Sequence, residues 1–266
     1  MISVITVTRI KGRESSLLRC VSSVALQDYS GEVEYILVID EEKLDSHFGG
    51  KLYAHNPRLR VVEVNTSRYT ADFQPFYSVS RIGFLRNIGI EHCNGTYIGY
   101  LDDDNAFCAN HLSSLAALLE SNSETDIAYS WRYLFWADGS PFVQDRYPWT
   151  PNARLAHSKE RLSEHIYNEL VAAGIRIAGR NLQRDTVLTI GGEPVYTVDT
   201  SEMLVRANVH ESHKWVTRFT WREMVSDYSD DYAFVKNCHE SGVLFACSGQ
   251  ATLEYYFGGV SNSSYI

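Results

Sequence analysis

Thr96-Tyr97-Ile98-Gly99-Tyr100-Leu101-Asp102-Asp103-Asp104-Asn105 is the stretch on which the fold class of this chain turns. A short apolar run rich in β-formers ends abruptly in three carboxylates and an amide. Two unit charges about 4 Å apart repel by roughly 1 kcal/mol in water and about 4 kcal/mol at an effective dielectric of 20. Three adjacent acids at the mouth of a buried strand are therefore costly unless water or a cation neutralises them. In extended geometry side chains alternate, so Asp102 and Asp104 share one face and Asp103 takes the other. Such a set can offer one carboxylate to a hard cation and another to a hydroxyl. It equally suits a solvated strand-to-helix turn in which Asn110 caps the next helix.

Working outward, Ile2-Ser3-Val4-Ile5-Thr6-Val7-Thr8 is the near-continuous β-branched pattern of a strand buried on both faces. A polar loop from Arg9 to Arg13 leads to helical spacing at Leu17, Leu18, Val21, Val24 and Ala25. Val33 to Ile39 is a second buried strand, closed by Asp40, and the three pieces form a βαβ unit with a right-handed crossover. Arg60 to Val64 is a third strand, Thr66 to Ser80 a loop, and Ile82 to Glu91 a helix. Beyond the acids, Leu112, Leu115, Ala116 and Leu119 predict a helix, and Asp126 to Trp136 a strand. That strand is followed by a turn at Ala137-Asp138-Gly139-Ser140 and an antiparallel return over Pro141 to Arg146. After a loop from Thr150 to His157, a helix is expected from Lys159 to Ala173. Strands are expected at Thr186 to Ile190, ended by Gly191-Gly192, and at Tyr196 to Val205, with Asp199 inside the second. A short helix around Tyr232 to Cys238, two strands at Val243 to Cys247 and Thr252 to Tyr256, and a loose tail from Ser261 complete the pattern.

The chain has 266 residues, 44% hydrophobic and 12% aromatic, enough for one large α/β domain. A formal charge of −9 argues against a general nucleic-acid binder. Five cysteines without CxxC spacing read as reduced thiols of a cytoplasmic protein. No apolar run approaches the length that spans a bilayer, so a membrane-bound substrate would be met through peripheral contact. His210-Glu211-Ser212-His213 lacks the zinc-helix spacing and reads as a solvated loop. Gly191-Gly192 and Gly258-Gly259 read as turns, and neither a dinucleotide fingerprint nor a P-loop is present. The five tryptophans are core or rim residues by default, with Trp215 and Trp221 as sugar-stacking candidates.

In an open parallel sheet, ligands bind outside the carboxyl ends of the strands. Thr8-Arg9, Asp40 and Asp102-Asp103-Asp104 all fall at such ends. Together with the helix Leu17 to Gln27, Arg86-Asn87-Ile88-Gly89-Ile90 and Asn94 to Ile98, they resemble the nucleotide-binding half of family 2 glycosyltransferases. The likeness is strong over residues 1 to about 120. It returns at Val198 to Arg206 and at Ser229-Asp230-Asp231-Tyr232-Ala233-Phe234-Val235, where Asp-Asp stands in place of the commoner Glu-Asp.

The resemblance implies an α/β chain of GT-A fold: a Rossmann-like, mostly parallel central sheet flanked by helices, with a mixed α+β C-terminal acceptor part. It implies a single domain over residues 1–266, with 1–105 for the nucleotide sugar and 106–266 for the acceptor. Its implied activity is inverting, metal-dependent transfer from a UDP-, GDP- or dTDP-linked sugar to a glycan or lipid-linked hydroxyl, in polysaccharide or cell-surface glycan synthesis. Carried over by position, Thr8, Arg9 and Asp40 hold the nucleotide base, and Arg81, with Arg86 as the alternative, reaches the base or diphosphate. Asp103 contacts the ribose with Asp102 in support, Asp104 binds Mn²⁺ or Mg²⁺, and Asp231 is the general base with Asp230 in reserve. The competing readings are a sugar-phosphate nucleotidylyltransferase, for which Arg9 to Arg13 lacks a Gly-rich loop, and a non-catalytic nucleotide-sugar binder of the same fold.

Overall fold

β1 (Ile2–Thr8) alternates between two apolar layers: Ile2 and Val4 pack on α1 (Glu14–Ala25), whereas Ile5 faces the opposite side. The computed structural model describes residues 1–41, 43–149, 156–190 and 193–257. β1 pairs in parallel with β2 (Val33–Asp40) on one side. β2 pairs in turn with β3 (Leu59–Val64), and α2 (Ser46–His55) connects the two. The chain then returns through α3 (Ser78–Glu91) and places β4 (Tyr97–Tyr100) on the other flank of β1, also parallel. The strand order therefore reverses between β1 and β4, and the segments leaving these two strands face one crevice.

The remaining strands extend the same sheet. After β5 (Ala106–Phe107) and α4 (His111–Ser121) come β6 (Ile127–Phe135), α5 (Ala156–Ala172) and β7 (Leu182–Gln183). β8 (Val187–Ile190) and β9 (Glu193–Tyr196) form a separate hairpin. β10 (Met203–Arg206) inserts antiparallel between β4 and β6. α6 (Val209–Ser212), α7 (Trp221–Val225) and α8 (Asp230–Glu240) precede β11 (Phe245–Tyr256), which runs parallel to β6 and antiparallel to β5. The order across the main sheet is β3-β2-β1-β4-β10-β6-β11-β5, with β7 beside β6, and most paired residues run parallel. One buried cluster gathers α1, α4 and one sheet face; a second gathers α3, α8 and the other.

Several expectations change. Ser46–His55 is helical although Gly49 and Gly50 dilute its periodicity; Asp45 caps it by accepting from the His47 and Phe48 amides at 2.9 Å. α3 begins at Ser78, inside the expected loop, and Thr66–Arg68 forms a 3-10 turn. The run from Tyr196 to Val205 is two strands, because Asp199 caps a 3-10 turn over Thr200–Glu202 and breaks the extended chain. The return over Pro141 to Arg146 is reduced to a single bridge between Phe135 and Pro141. The two expected terminal strands are one strand interrupted by a register shift between Cys247 and Ala251, where Gly249 has φ +68°. His210 is not in a solvated loop: it lies buried in α6, 2.7 Å from the Tyr100 hydroxyl, and burial lowers its pKa to about 4. Asn110 precedes α4 without capping it, and its side-chain amide donates to Gln250 at 3.2 Å. α5 starts at Ala156, inside the expected loop from Thr150 to His157; residues 150–155, the turns at Gly191-Gly192 and Gly258-Gly259, and the tail from Ser261 lie outside the described residues.

Gly83 marks the tightest seam. A Cβ there would collide with the Val216 carbonyl oxygen, so only glycine lets α3 meet the segment after α6. Asn87, one turn further on, pairs with the Trp215 backbone in both directions at 3.0 Å.

Candidate functional site

The residues expected to hold the nucleotide base converge at the carboxyl ends of β1 and β2. Asp40, 1% exposed, accepts from Arg9 Nε at 3.0 Å and from the Thr66 hydroxyl at 2.7 Å. Arg81 Nε lies 3.5 Å from the same Asp40 oxygen that Arg9 holds. Two guanidiniums on one buried carboxylate leave local positive charge at this end of the crevice. Glu41, paired with Arg9, brings these four groups to formal balance.

The three aspartates do not keep the alternation of an extended strand. The chain turns at Asp103-Asp104, with the Asn105 amide donating to the Asp102 carbonyl at 3.0 Å. Asp103 and Asp104 consequently meet on one cation: Arg13 Nη1 lies 3.0 Å from Asp103 Oδ1 and 2.9 Å from Asp104 Oδ2. The Thr8 hydroxyl donates to Asp103 Oδ2 at 2.6 Å, tying the end of β1 to the acids. Asp102 turns the other way and accepts from Arg86 Nη2 at 2.8 Å. Burial raises the pKa of all three, and at Asp104 the charges of Asp103 and Asp102 carry it to about 7 against the opposing pull of Arg13.

The loop is also braced from a distance. Arg19 of α1 donates to the Asp104 carbonyl and stacks 3.6 Å over the Tyr256 ring. Asn105 accepts from the Tyr256 amide at 3.0 Å, and the Asp102 amide donates to the Ser201 hydroxyl at 3.1 Å.

Ser229 caps α8 and places Asp230 and Asp231, the expected base and its reserve, in its first turn, where the helix dipole favours carboxylates. Asp230 forms an ion pair with Arg86. Asp231 Oδ1 accepts from the Tyr232 amide at 2.7 Å and from the Ser229 hydroxyl. Burial, and then the charge of Asp199, push Asp231 up to about 6.

Asp199 belongs to a buried ionic cluster. Arg132 Nη1 donates to it at 2.6 Å, and Arg132 Nε pairs with Asp185 at 2.9 Å. The Arg132 guanidinium lies 4.7 Å from the Trp149 ring centroid and 4.9 Å from that of Tyr255. Arg13, Arg86, Arg132 and Asp199 are thus site residues that the sequence reading left without a role there, Arg86 having been only an alternative to Arg81. The one signal for Arg13 was the basic character of the loop after β1. Of the aromatic candidates, Trp215 is buried between Arg86 and Phe234, so it is not available to stack on a sugar, whereas Trp221 is 74% exposed.

The acids fit a divalent cation of a particular kind. Burial, and then the charges of Asp103 and Asp102, disfavour the ionised form of Asp104 more than Arg13 favours it, which is the condition a cation relieves. Among the described residues no three His, Cys, Asp or Glu side chains converge on a metal position. A cation here would therefore be held by one or two carboxylates and completed by substrate oxygens and water, the mode usual for magnesium.

Residues 83–178, a little over a third of the chain, match the family model described as Glycosyl transferase family 2. The stretch runs from α3 through the three aspartates and β6 to the end of α5 and just beyond. No curated protein matches the chain in sequence. Among solved structures, S. aureus TarS 1-349 in complex with UDP-GlcNAc superposes with a TM-score of 0.58 at 14% identity, covering 100% of this chain and 61% of that one. The TarS 1-349 complex with UDP gives 0.56 at 14% identity, covering 96% and 60%. A further crystal structure of S. aureus TarS gives 0.56 at 13% identity, covering 98% and 37%. This chain thus spans between 37% and 61% of the length of these TarS chains, and at such identities the likeness is one of fold. No described helix is long and apolar enough to cross a membrane.

Proposed function

We propose that this chain, a member of glycosyl transferase family 2, transfers a sugar from a nucleoside-diphosphate donor to an acceptor hydroxyl with inversion, aided by a divalent cation. The carrying observation is that the acids after β4 and the acid pair opening α8 share one buried guanidinium, with Asp102 and Asp230 both on Arg86. Donor-side and acceptor-side groups 128 positions apart therefore line a single site. UDP is the first donor to test, because TarS, which shares the fold, has been solved with UDP and with UDP-GlcNAc. GDP- and dTDP-sugars follow.

In this reading Asp40, Arg9 and Arg81, with Thr8, receive the nucleotide base, and Asp103 the ribose. Asp102 supports both the acids and Arg86. Arg13 stands beside Asp103 and Asp104, where its guanidinium meets diphosphate oxygens by charge-assisted hydrogen bonds. Asp104 would hold a divalent Mn²⁺ or Mg²⁺, which would supply countercharge for the departing nucleoside diphosphate. Asp231 accepts the proton of the attacking hydroxyl. A carboxylate poised at about pH 6 is basic enough for that role and still ionised at neutral pH. A single base and attack from the face opposite the leaving group give inversion. Residues 1–105 serve the nucleotide sugar and 106–266 the acceptor, within one domain. A glycan or lipid-linked acceptor, and a polysaccharide or cell-surface product made in the cytoplasm, complete the proposal.

The deciding experiment measures melting temperature and donor consumption across UDP-, GDP- and dTDP-sugars with Mn²⁺ or Mg²⁺, for wild type, Asp104→Ala and Asp231→Asn. Asp104→Ala should lose metal-dependent nucleotide binding. Asp231→Asn should bind nucleotide and fail to transfer. Transfer by Asp231→Asn at near wild-type rate overturns the base assignment, and no response of the wild type to any of these donors overturns the function.

A further inference from the structure

We infer that Arg86 is a positioning residue that joins the donor and acceptor sides of the site and leaves Asp231, rather than Asp230, free to act. The inference rests on the transfer reaction proposed above. Arg86 is 5% exposed, and its guanidinium is engaged on three sides. One nitrogen donates to Asp102 at 2.8 Å, another pairs with Asp230, and the group lies 4.5 Å from the Trp215 ring centroid.

Its surroundings are fixed in turn. Asn87, the next residue, clamps the Trp215 backbone, and Trp215 stacks on Phe234 of α8 with ring centroids 4.4 Å apart. α3, the acids after β4, and α8 therefore share one knot of charge and aromatic packing. A buried guanidinium that loses a partner faces a heavy desolvation penalty, so the pair with Asp230 is not readily surrendered.

The two acids of α8 are consequently unequal. Asp230 is committed to Arg86, and its side chain is 13% exposed. Asp231 is held through Oδ1 alone; among the described residues no hydrogen bond reaches its Oδ2. Through Arg86, Asp230 sets where α8 begins relative to Asp102, and so where the free oxygen of Asp231 stands relative to the donor. Placement of this kind governs the rate of a reaction between two bound partners more than the affinity for either.

The test uses Arg86→Gln, Arg86→Lys, Asp230→Asn and the double variant Arg86→Gln/Asp230→Asn, with melting temperature confirming that each is folded. Nucleotide affinity is read by calorimetry and kcat from whichever UDP-, GDP- or dTDP-sugar the wild type consumes. Arg86→Gln and Asp230→Asn should each lower kcat by about 30-fold or more while nucleotide affinity moves by less than about threefold. The double variant should be no slower than the slower single, because both remove one linkage. Arg86→Lys should recover part of the loss. Multiplying effects in the double, an unchanged kcat in Asp230→Asn, or a fall in affinity as large as that in kcat each overturn the inference. A wild type that consumes none of these donors overturns the reaction beneath it as well, an outcome distinct from an active wild type whose variants fail to couple.

Discussion

Asp231 carries the most direct consequences. If it is the base, kcat/KM should fall by roughly tenfold per pH unit below about 6, since protonation removes the acceptor of the hydroxyl proton. Asp199 raises that pKa, so Asp199→Asn should shift the acidic limb to lower pH. Asparagine still offers an oxygen to the Ser201 amide that Asp199 now caps at 2.9 Å, which keeps the local turn. An acidic limb that stays at about 6 in Asp199→Asn would separate the two residues. Asp231→Asn itself should lose about 10²- to 10⁴-fold in transfer, the range of general base catalysis, in an assay of product formation. These residues differ in how legible they are. Asp40 and Asp104 announce themselves because a strand that ends in a charge is conspicuous in any β-branched run. Arg13, Arg86 and Arg132 do not, because an arginine in a loop, a helix or a strand has one spelling whether it points to water or to a buried carboxylate. Only the turn at Asp103-Asp104, which the rule of alternating faces misses, shows which acids Arg13 meets.

Elements built from periodic apolar residues were the readable ones. β1, β2 and β4 pack on both sides and α1 on one face, and their spacing carries that burial directly. α2 and the turn at Asp199 were not readable in this way, since the first is diluted by glycine and the second is set by a cap. The two kinds of helical glycine here separate by experiment. Gly50 in α2 has open space where a Cβ would stand, so Gly50→Ala should stabilise the protein by about 0.5–1 kcal/mol through helix propensity. Gly83 in α3 has the Val216 carbonyl oxygen in that place, and the clash outweighs propensity. Gly83→Ala should cost about 1–3 kcal/mol, as overpacking usually does. Urea unfolding of the two variants checks both signs. Equal effects would mean that the seam between α3 and the Trp215 segment yields easily.

Across the molecule, ligand binding and stability are linked. A nucleotide sugar with Mn²⁺ at 100 times its dissociation constant should add about 2.7 kcal/mol to the folded state. In a chain of this size that raises the melting temperature by several degrees, and Asp104→Ala should abolish the part that needs the metal. Although the formal charge is −9, Arg9, Arg13 and Arg81 are gathered locally, each on an aspartate, and a cation would supply the remaining countercharge that a diphosphate requires.

One brace bears on how the protein is made. The Asp104 carbonyl is held by Arg19, Arg19 lies on Tyr256, and Asn105 accepts from the Tyr256 amide. The loop that carries the three aspartates is thus completed by a strand synthesised some 150 residues after it. During translation, the first half of the chain can lay down its parallel strands while the proposed nucleotide site still lacks one wall. A ribosome-bound chain halted near residue 200 should therefore ignore nucleotide and Mn²⁺, and acquire that response only after β11 has left the exit tunnel. On the proposed function, nucleotide competence should arrive late, even though the acidic motif emerges early.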